Sequence, residues 1–526
     1  MSLMPPEKSE KQTDNGESKT AVSYHKVPSA QIKASLRSSL WIIFSMVSIA
    51  SVVGIPLWYL TTTVPKAEIP HTEIANVNEL INHTNEIKFN IPIYLDVPSP
   101  LKGMIKETQD LIDQELHSLG INEYWNLELL FGEGKPNDYK LNLEMVESEK
   151  YDDNTVESNE SIFISPFDRS VKLFISDKII SHNKVPDFIS KVLINIVFIE
   201  EIKLFKEFKN IAGASEDANS VSVQYSPKFH IVLNLLNGGL DPVSWDIEEI
   251  SPIFIRYLNE LKQFANFTLD AQLESYNSIS DDINIHWDND SSHHILDMKD
   301  TSKFIDYSEW GLDRQTDLVP TINFVAYIPD SKYFPLKIEN SPTNSFIVPQ
   351  WGGLQILNID TSFSDSIHLD KDVLLPVLET FTSQLFHLLG APKNPKSLPI
   401  RIDIMTRLQI LKNLKTAANN LLSLSKLVKQ LDNISIPNFT LIKIGDAMKE
   451  INLSIESLHK NDWSSANHHS AKAAIFADES FFQKDMVQQL YFPDEHKMAI
   501  YVPLLGPLIS LTAVGLFKTI VEFFKD

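Results

Sequence analysis

The residues best suited to chemistry lie in IHWDNDSSHH, where His286, Asp288, Asp290, His293 and His294 fall within one short stretch. Imidazole and carboxylate groups suit zinc or a similar ion. Asp, Asn and Ser dominate the stretch, however, and neither an H-E-x-x-H pair nor a calcium-loop pattern is present, so a solvated loop is the better expectation. Gly132-Glu133-Gly134-Lys135 resembles a fragment of a phosphate loop, but Leu129 stands where its first glycine belongs and Pro136 where a magnesium-binding hydroxyl would follow the lysine. His468 and His469 fall in a helical pattern, where adjacent side chains point about 100° apart and cannot easily share an ion. No G-x-S-x-G elbow and no G-x-G-x-x-G fingerprint occurs. With Cys 0, the chain supplies no thiol nucleophile, thiolate ligand or disulfide. The expectation is a non-enzymatic chain with no catalytic residue, cofactor or metal ligand of its own. The alternative is a metal-dependent hydrolase built on the 286–294 cluster.

The elements that would position such residues alternate. Strand patterns at 88–97, 124–131, 139–146, 161–167 and 171–176 are bounded by Pro, Gly, Asp and Asn clusters. Helical patterns at 101–120 and 185–209 lie between and after them, which predicts a mixed α/β core. Residues 220–236 read as strand before the turn signal Asn237-Gly238-Gly239. A helix is expected over 251–264, with Ser251 as its cap and Pro252 at its first position. Further strands are expected at 321–328 and 354–360. From about residue 400 the period changes: Ile404, Leu408, Leu411, Leu414, Ala418, Leu421, Leu424, Val428 and Leu431 repeat at helical spacing, followed by a second stripe from Leu441 to Leu458 and an Ala-containing stretch over 463–490. These predict a helical hairpin or three-helix layer.

Two uncharged runs bracket this region, Leu40–Leu60 and Met498–Phe517. A hydrocarbon core of about 30 Å needs roughly 20 apolar residues at helical rise, so both runs read as transmembrane helices. The expected organisation is a disordered cytoplasmic tail (1–39), a first span (40–60), a lumenal α/β domain (61–395), a lumenal helical region (396–497), a second span (498–517) and a short cytoplasmic tail (518–526). Lys26, Lys33 and Arg37 before the first run put residues 1–39 on the cytoplasmic side. The net charge is −23, which disfavours nucleic acid as a partner. N-x-S/T sequons at Asn82, Asn159, Asn266, Asn289, Asn433, Asn438 and Asn452 all fall between the runs and are candidates for glycosylation. Pro56 in the first run and Pro503, Gly506 and Pro507 in the second either let the helices pack against partners or lie near span ends where the lost hydrogen bond is unneeded. Trp58 at the exit of the first run is a further interface candidate. Trp351-Gly352-Gly353 reads as a tight turn presenting an aromatic ring, either at an interface or inside the core.

Three strings carry a resemblance: GIPLWYLTTTVPKAEIP (54–70), TINFVAYIPDSKYFPLKIEN with SFIVPQWGGLQILNID (321–360), and LYFPDEHKMAIYVPLLGPL (490–508). In this order they resemble the class S subunit of the GPI transamidase, the PIG-S family. The resemblance implies a non-catalytic scaffolding subunit of an endoplasmic-reticulum membrane complex that joins glycosylphosphatidylinositol to precursor proteins. It implies as partners a caspase-like catalytic class K subunit, class T and class U subunits and an aminopeptidase-like attachment subunit, with precursor proteins met through the complex and membrane lipid met through the spans.

Overall fold

The computed structural model describes residues 29–54, 56, 68–83, 87–97, 103–132, 134–146, 162–176, 184–210, 221–280, 282–305, 319–359, 366–430, 436–482 and 494–524. The first described elements are α1 (Ser29–Ile49), continued by a π-helical turn at Ala50–Gly54, then α2 (His71–His83), β1 (Phe89–Asp96), α3 (Ile105–Leu119), β2 (Trp125–Phe131), β3 (Tyr139–Val146), β4 (Ile162–Ile164), β5 (Ser170–Ser176), α4 (Val185–Val192) and α5 (Ile199–Asn210). There follow β6 (Lys228–Asn237), β7 (Val243–Trp245), α6 (Ile247–Glu260), β8 (Asn266–Ser275), β9 (Ile285–Asp288), β10 (His293–Leu296), α7 (Thr301–Phe304), β11 (Thr321–Ile328), β12 (Leu336–Ile338), β13 (Ser345–Val348), β14 (Gly352–Ile356) and β15 (Ile367–Leu369). Five helices follow among the described residues: α8 (Lys371–Leu388), α9 (Leu398–Gln430), α10 (Asn438–His459), α11 (Trp463–Phe481) and α12 (Asp494–Phe523).

The chain divides into two units. The first holds α1 and α12, which touch where a Cβ on Gly515 would lie 3.6 Å from Ile43 Cδ1. It corrects the expected fold class, because among the described residues no helix is long and apolar enough to cross a membrane. In α1 the reason is visible in the chain: its first half contains Lys33 and Arg37, and α-helical pairing gives way to the π-helical turn after Ile49. Of the uncharged run, α1 holds 40–49, which rises about 15 Å, half of a hydrocarbon core. In α12, Pro503 and Pro507 lie inside the helix, and each removes a main-chain donor from the middle of the apolar run.

The second unit is mixed α/β, as the alternating patterns predict. One sheet has the order β2-β1-β3-β5-β4, parallel except for β4, which runs antiparallel to β5. Strand alternation puts Phe89, Ile91, Ile93 and Leu95 of β1 on one face with Trp125, Leu127 and Leu129 of β2 in matching register, all buried. Burying a side chain of this size contributes about 1.5–3 kcal/mol, so the register is fixed by what one face hides. Gln109 of α3 covers the outer edge of β2: its Nε2 donates to Leu127 O at 2.9 Å and its Oε1 accepts from Leu129 N at 2.9 Å. The side-chain amide thereby takes the place of a neighbouring strand. The Gly132–Lys135 stretch lies in the link between β2 and β3, where a Cβ on Gly134 would meet the Tyr94 ring at 2.8 Å. Its glycine serves chain passage over a ring, not phosphate binding.

The other large sheet has the order β13-β14-β11-β6-β8 and is parallel except for β13. Ile322, Phe324, Ala326 and Ile328 of β11 face α6 and α8 in one core, while Val325 and Tyr327 face a second core roofed by the small β12-β10-β9 sheet and α7. A strand covered on both sides reads as a continuous apolar run, as TINFVAYI does. Helix α6 starts a turn earlier than Ser251 because Ile250, Phe254 and Leu258 form its buried stripe. Pro252 therefore lies inside the helix, not at its first position. Helices α2 and α8 and the hairpin β9–β10 have no counterpart in the sequence reading. In α9 to α11 the helical stripes are realised, and Ala447, Ser454, Ala466, Ser470, Ala473 and Ala477 are buried small residues that let α10 and α11 approach closely.

Candidate functional site

The most chemically charged place in the second unit is buried, and α9 organises it. The first half of α9 is covered nearly all round, Ile400, Ile402, Ile404, Met405 and Ile410 included, yet Asp403 and Arg407 sit one turn apart within it. Arg407 is fully buried. Its Nε and Nη2 donate to Glu201 Oε1 and Oε2 of α5, each at 2.7 Å. Glu201 Oε1 also accepts from Trp125 Nε1 of β2 at 2.9 Å. Asp403 accepts from Arg169 Nε at 2.5 Å and Nη2 at 2.8 Å, from the Tyr139 hydroxyl of β3 at 2.8 Å, and from Gln263 Nε2, just after α6, at 3.0 Å. The Arg407 guanidinium also lies over the rings of Tyr139 and Trp463, 5.8 Å from each centroid.

The electrostatics follow from burial and pairing. Burial pushes the Asp403 carboxyl up, but the Arg169 hydrogen bonds and charge, with Arg407 and Tyr139 behind them, outweigh it and hold the group below the usual carboxylate range. Burial also opposes the charge on Arg407, and Glu201 beside it restores and exceeds what burial takes away. Burial pushes the Tyr139 hydroxyl well above the ordinary tyrosine value. Two carboxylates, two guanidiniums, a phenol, an indole and an amide thus satisfy one another with both charges of each sign paired. Such a junction has no lone pair aimed at solvent for general-base work. What it can do is fix the first sheet, α5 and the end of α6 to a single helix.

The residues picked out by sequence lie elsewhere. Gly352 and Gly353 are buried at the start of β14. A Cβ on Gly352 would fall 1.8 Å from Asn323 O, and one on Gly353 would fall 2.0 Å from Gln384 Oε1 of α8. Trp351 is half-buried against the second core, and its carbonyl accepts from Asn323 N at 3.1 Å. The turn therefore seats a strand against its parallel neighbour and against α8. Pro56, Pro503 and Pro507 are exposed and Gly506 half-buried in the first unit, and Trp58 lies outside the described residues.

The histidine cluster becomes a hairpin. His293 pairs across it with Asp288, and His294 with Trp287. His286 Nδ1 approaches Asp297 Oδ1 at 3.6 Å, while the His294 ring stands edge-on to Trp287, centroids 4.8 Å apart. Period-two alternation sends His293 and His294 to opposite faces. Among the described residues no group of three His, Cys, Asp or Glu side chains could hold a metal ion. His468 is exposed, and His469 Nδ1 meets Glu450 Oε2 of α10 at 2.6 Å.

Of the sequons, Asn82 lies in α2 with its Nδ2 donating to Asn78 O at 3.0 Å, and Asn266 opens β8. Asn289 is exposed in the hairpin turn, and Asn438 and Asn452 are exposed on α10. Asn159 and Asn433 lie outside the described residues. The sequence reading missed Glu201, Asp403 and Arg407. For Asp403 and Arg407 the signal was present in RIDIMTR, where charges interrupt an apolar helix on the side its neighbours bury.

Comparison with known proteins adds the remaining finding. Residues 45–526 match the family described as phosphatidylinositol-glycan biosynthesis class S protein. The chain is similar to a GPI transamidase component of Saccharomyces cerevisiae, 29% identical over 515 residues, covering 92% of each chain. It is also similar to the PIGS component of the human GPI-anchor transamidase, 26% identical, covering 91% of this chain and 94% of that one. The PIG-S homologue among the GPI transamidase components of Schizosaccharomyces pombe is 24% identical over 90% of this chain and 82% of its own.

Proposed function

Because the chain belongs to the phosphatidylinositol-glycan biosynthesis class S family, we propose that it is a non-catalytic, scaffolding subunit of a GPI transamidase complex. The observation that carries the role is the end-to-end similarity to proteins named as components of that complex. Similarity over about nine tenths of both chains is what a shared place in an assembly requires, since partner surfaces are spread over a whole subunit. The buried junction supports the scaffolding part of the reading: it ties the first sheet, α5 and the end of α6 to α9 through interlocked charges and leaves a stiff body on which partners can be arranged. The partners in this reading are a caspase-like catalytic subunit, class T and class U subunits and an aminopeptidase-like attachment subunit. The place of work is the endoplasmic reticulum, with the second unit facing its lumen.

Depletion of the chain tests the role. The expected outcome is that GPI-precursor proteins keep their C-terminal signals and that affinity purification through any remaining subunit recovers an incomplete complex. Normal lipid anchoring in fully depleted cells would sink the reading. The non-catalytic part is tested separately by alanine at His286, His293 and His294 together, which is expected to leave anchoring intact.

A further inference from the structure

The hairpin β9–β10 has a feature that neither core packing nor the scaffolding role uses. Trp287 is 48% exposed although it lies in a paired strand. Its ring is held edge-on by His294 at 72° between planes, and His294 in turn meets Tyr333 at 6.0 Å between centroids. A large aromatic ring is thus fixed in place with one part left to solvent, where its apolar surface is unpaid for.

Two residues further on is Asn289, the first residue of the sequon Asn289-Asp290-Ser291, all three exposed. The turn is well defined. Asp290 N donates to Asp288 Oδ1 at 3.2 Å, Ser292 N donates to Asp288 O at 3.0 Å, and Ser292 takes a φ of 56°. Ser291 Oγ lies within hydrogen-bond reach of Asp288 Oδ2 and 3.1 Å from His293 Nε2. Asn289 is the first turn residue after β9, two positions beyond Trp287, so acceptor and ring lie at the same end of the hairpin. At Asn438 and Asn452 the matching hydroxyls, Thr440 and Ser454, are fully buried. The hairpin turn instead keeps amide, hydroxyl and aromatic ring all at the surface.

We propose that Asn289 is an N-glycosylation site whose first sugar stacks on the exposed face of Trp287. The inference rests on the lumenal placement proposed above. The donor is a lipid-linked pyrophosphate oligosaccharide: the bond from sugar C1 to the pyrophosphate oxygen breaks, a bond from Asn289 Nδ2 to C1 forms, and the amide proton leaves with the lipid pyrophosphate. The polarised C–H groups on one side of a pyranose then meet the negative face of the indole. That contact gives Trp287 a partner and ties the glycan to the hairpin instead of leaving it free.

The test uses the full chain isolated from its native host, with the probe being enzymatic release of N-glycans followed by peptide mass analysis. The peptide containing position 289 should then carry Asp there. Asn289→Gln and Ser291→Ala should each remove one glycan step on a gel, while Ser291→Thr retains it. Trp287→Ala should lower occupancy at 289 by about twofold or more, since the ring no longer holds the acceptor turn and the added sugar. All three positions are at the surface, so the fold survives the changes. A bare Asn289 beside glycans on other sequons overturns the inference and leaves the lumenal placement standing. A chain with no glycan on any sequon overturns both. Full occupancy in Trp287→Ala, with unchanged melting of the glycosylated chain, overturns the stacking role.

Discussion

Arg407 shows how much of this molecule depends on single side chains. Removing one member of a buried charged set leaves its partner unpaired, which costs about 3–5 kcal/mol. Arg407→Ala is therefore expected to lower the denaturant midpoint sharply, because Glu201 would remain buried without its bidentate donor. Replacing both, as in Glu201→Leu with Arg407→Met, should recover much of the loss, and a chemical-denaturation cycle over the four proteins measures it. The two glycines of β14 separate a soft obstacle from a hard one. At Gly353 an added Cβ meets the amide end of Gln384, 2.0 Å away, so Gly353→Ala is expected to cost about 1–3 kcal/mol and to be relieved by Gln384→Ala. At Gly352 the obstacle is the Asn323 main-chain oxygen at 1.8 Å. No side-chain change relieves that clash, and Gly352→Ala should remain destabilised in any such background.

Among the elements, the exposed edges and the close helix contacts matter most. Strand β2 is terminal in its sheet, and Gln109 occupies its outer hydrogen-bonding positions. Gln109→Ala removes the two hydrogen bonds to the β2 main chain, at about 1 kcal/mol each, and uncovers a strand edge. Both a lower melting temperature and faster aggregation on heating are expected, read by scattering alongside the melt. Gln109→Leu should share both effects, since the loss lies in the amide and not in bulk. The α10–α11 contact depends on small side chains, with Ala473 wholly buried. Ala473→Leu should be destabilising where an exposed change on the same helix, such as His468→Leu, is tolerated, because overpacking forces the helices apart.

At the scale of the whole molecule, stability should vary with pH on both sides. Asp403 is held below the usual carboxylate range, so its contribution is complete above the unfolded value near about 3.9 and is lost as pH falls through the folded value. Wild type should therefore lose more stability than Asp403→Asn between neutral and strongly acidic solution, measured by denaturant midpoints across that range. On the alkaline side burial pushes Tyr225 up to about 12, with the Asn467 hydrogen bond opposing it. Its contribution is present below the unfolded value near about 10 and disappears as pH rises toward the folded one. The mixed α/β class, the strands β1, β2, β3 and β11, and the helical stripes of α9 to α11 were legible in the chain, because period and burial face are local properties of neighbouring residues. So was the family resemblance, which rests on short strings. The apolar runs at either end were legible as composition, but whether such a run forms one uninterrupted α-helix depends on main-chain pairing, and the π-helical turn after Ile49 is visible only in the folded chain. Tertiary structure alone decided that Glu201, 206 positions before Arg407, is its partner, that Asp403 gathers Arg169, Tyr139 and Gln263, and that Trp351-Gly352-Gly353 seats a strand. Those meetings are set by which layers pack together, and no spacing along the sequence encodes the distance between residues on different layers.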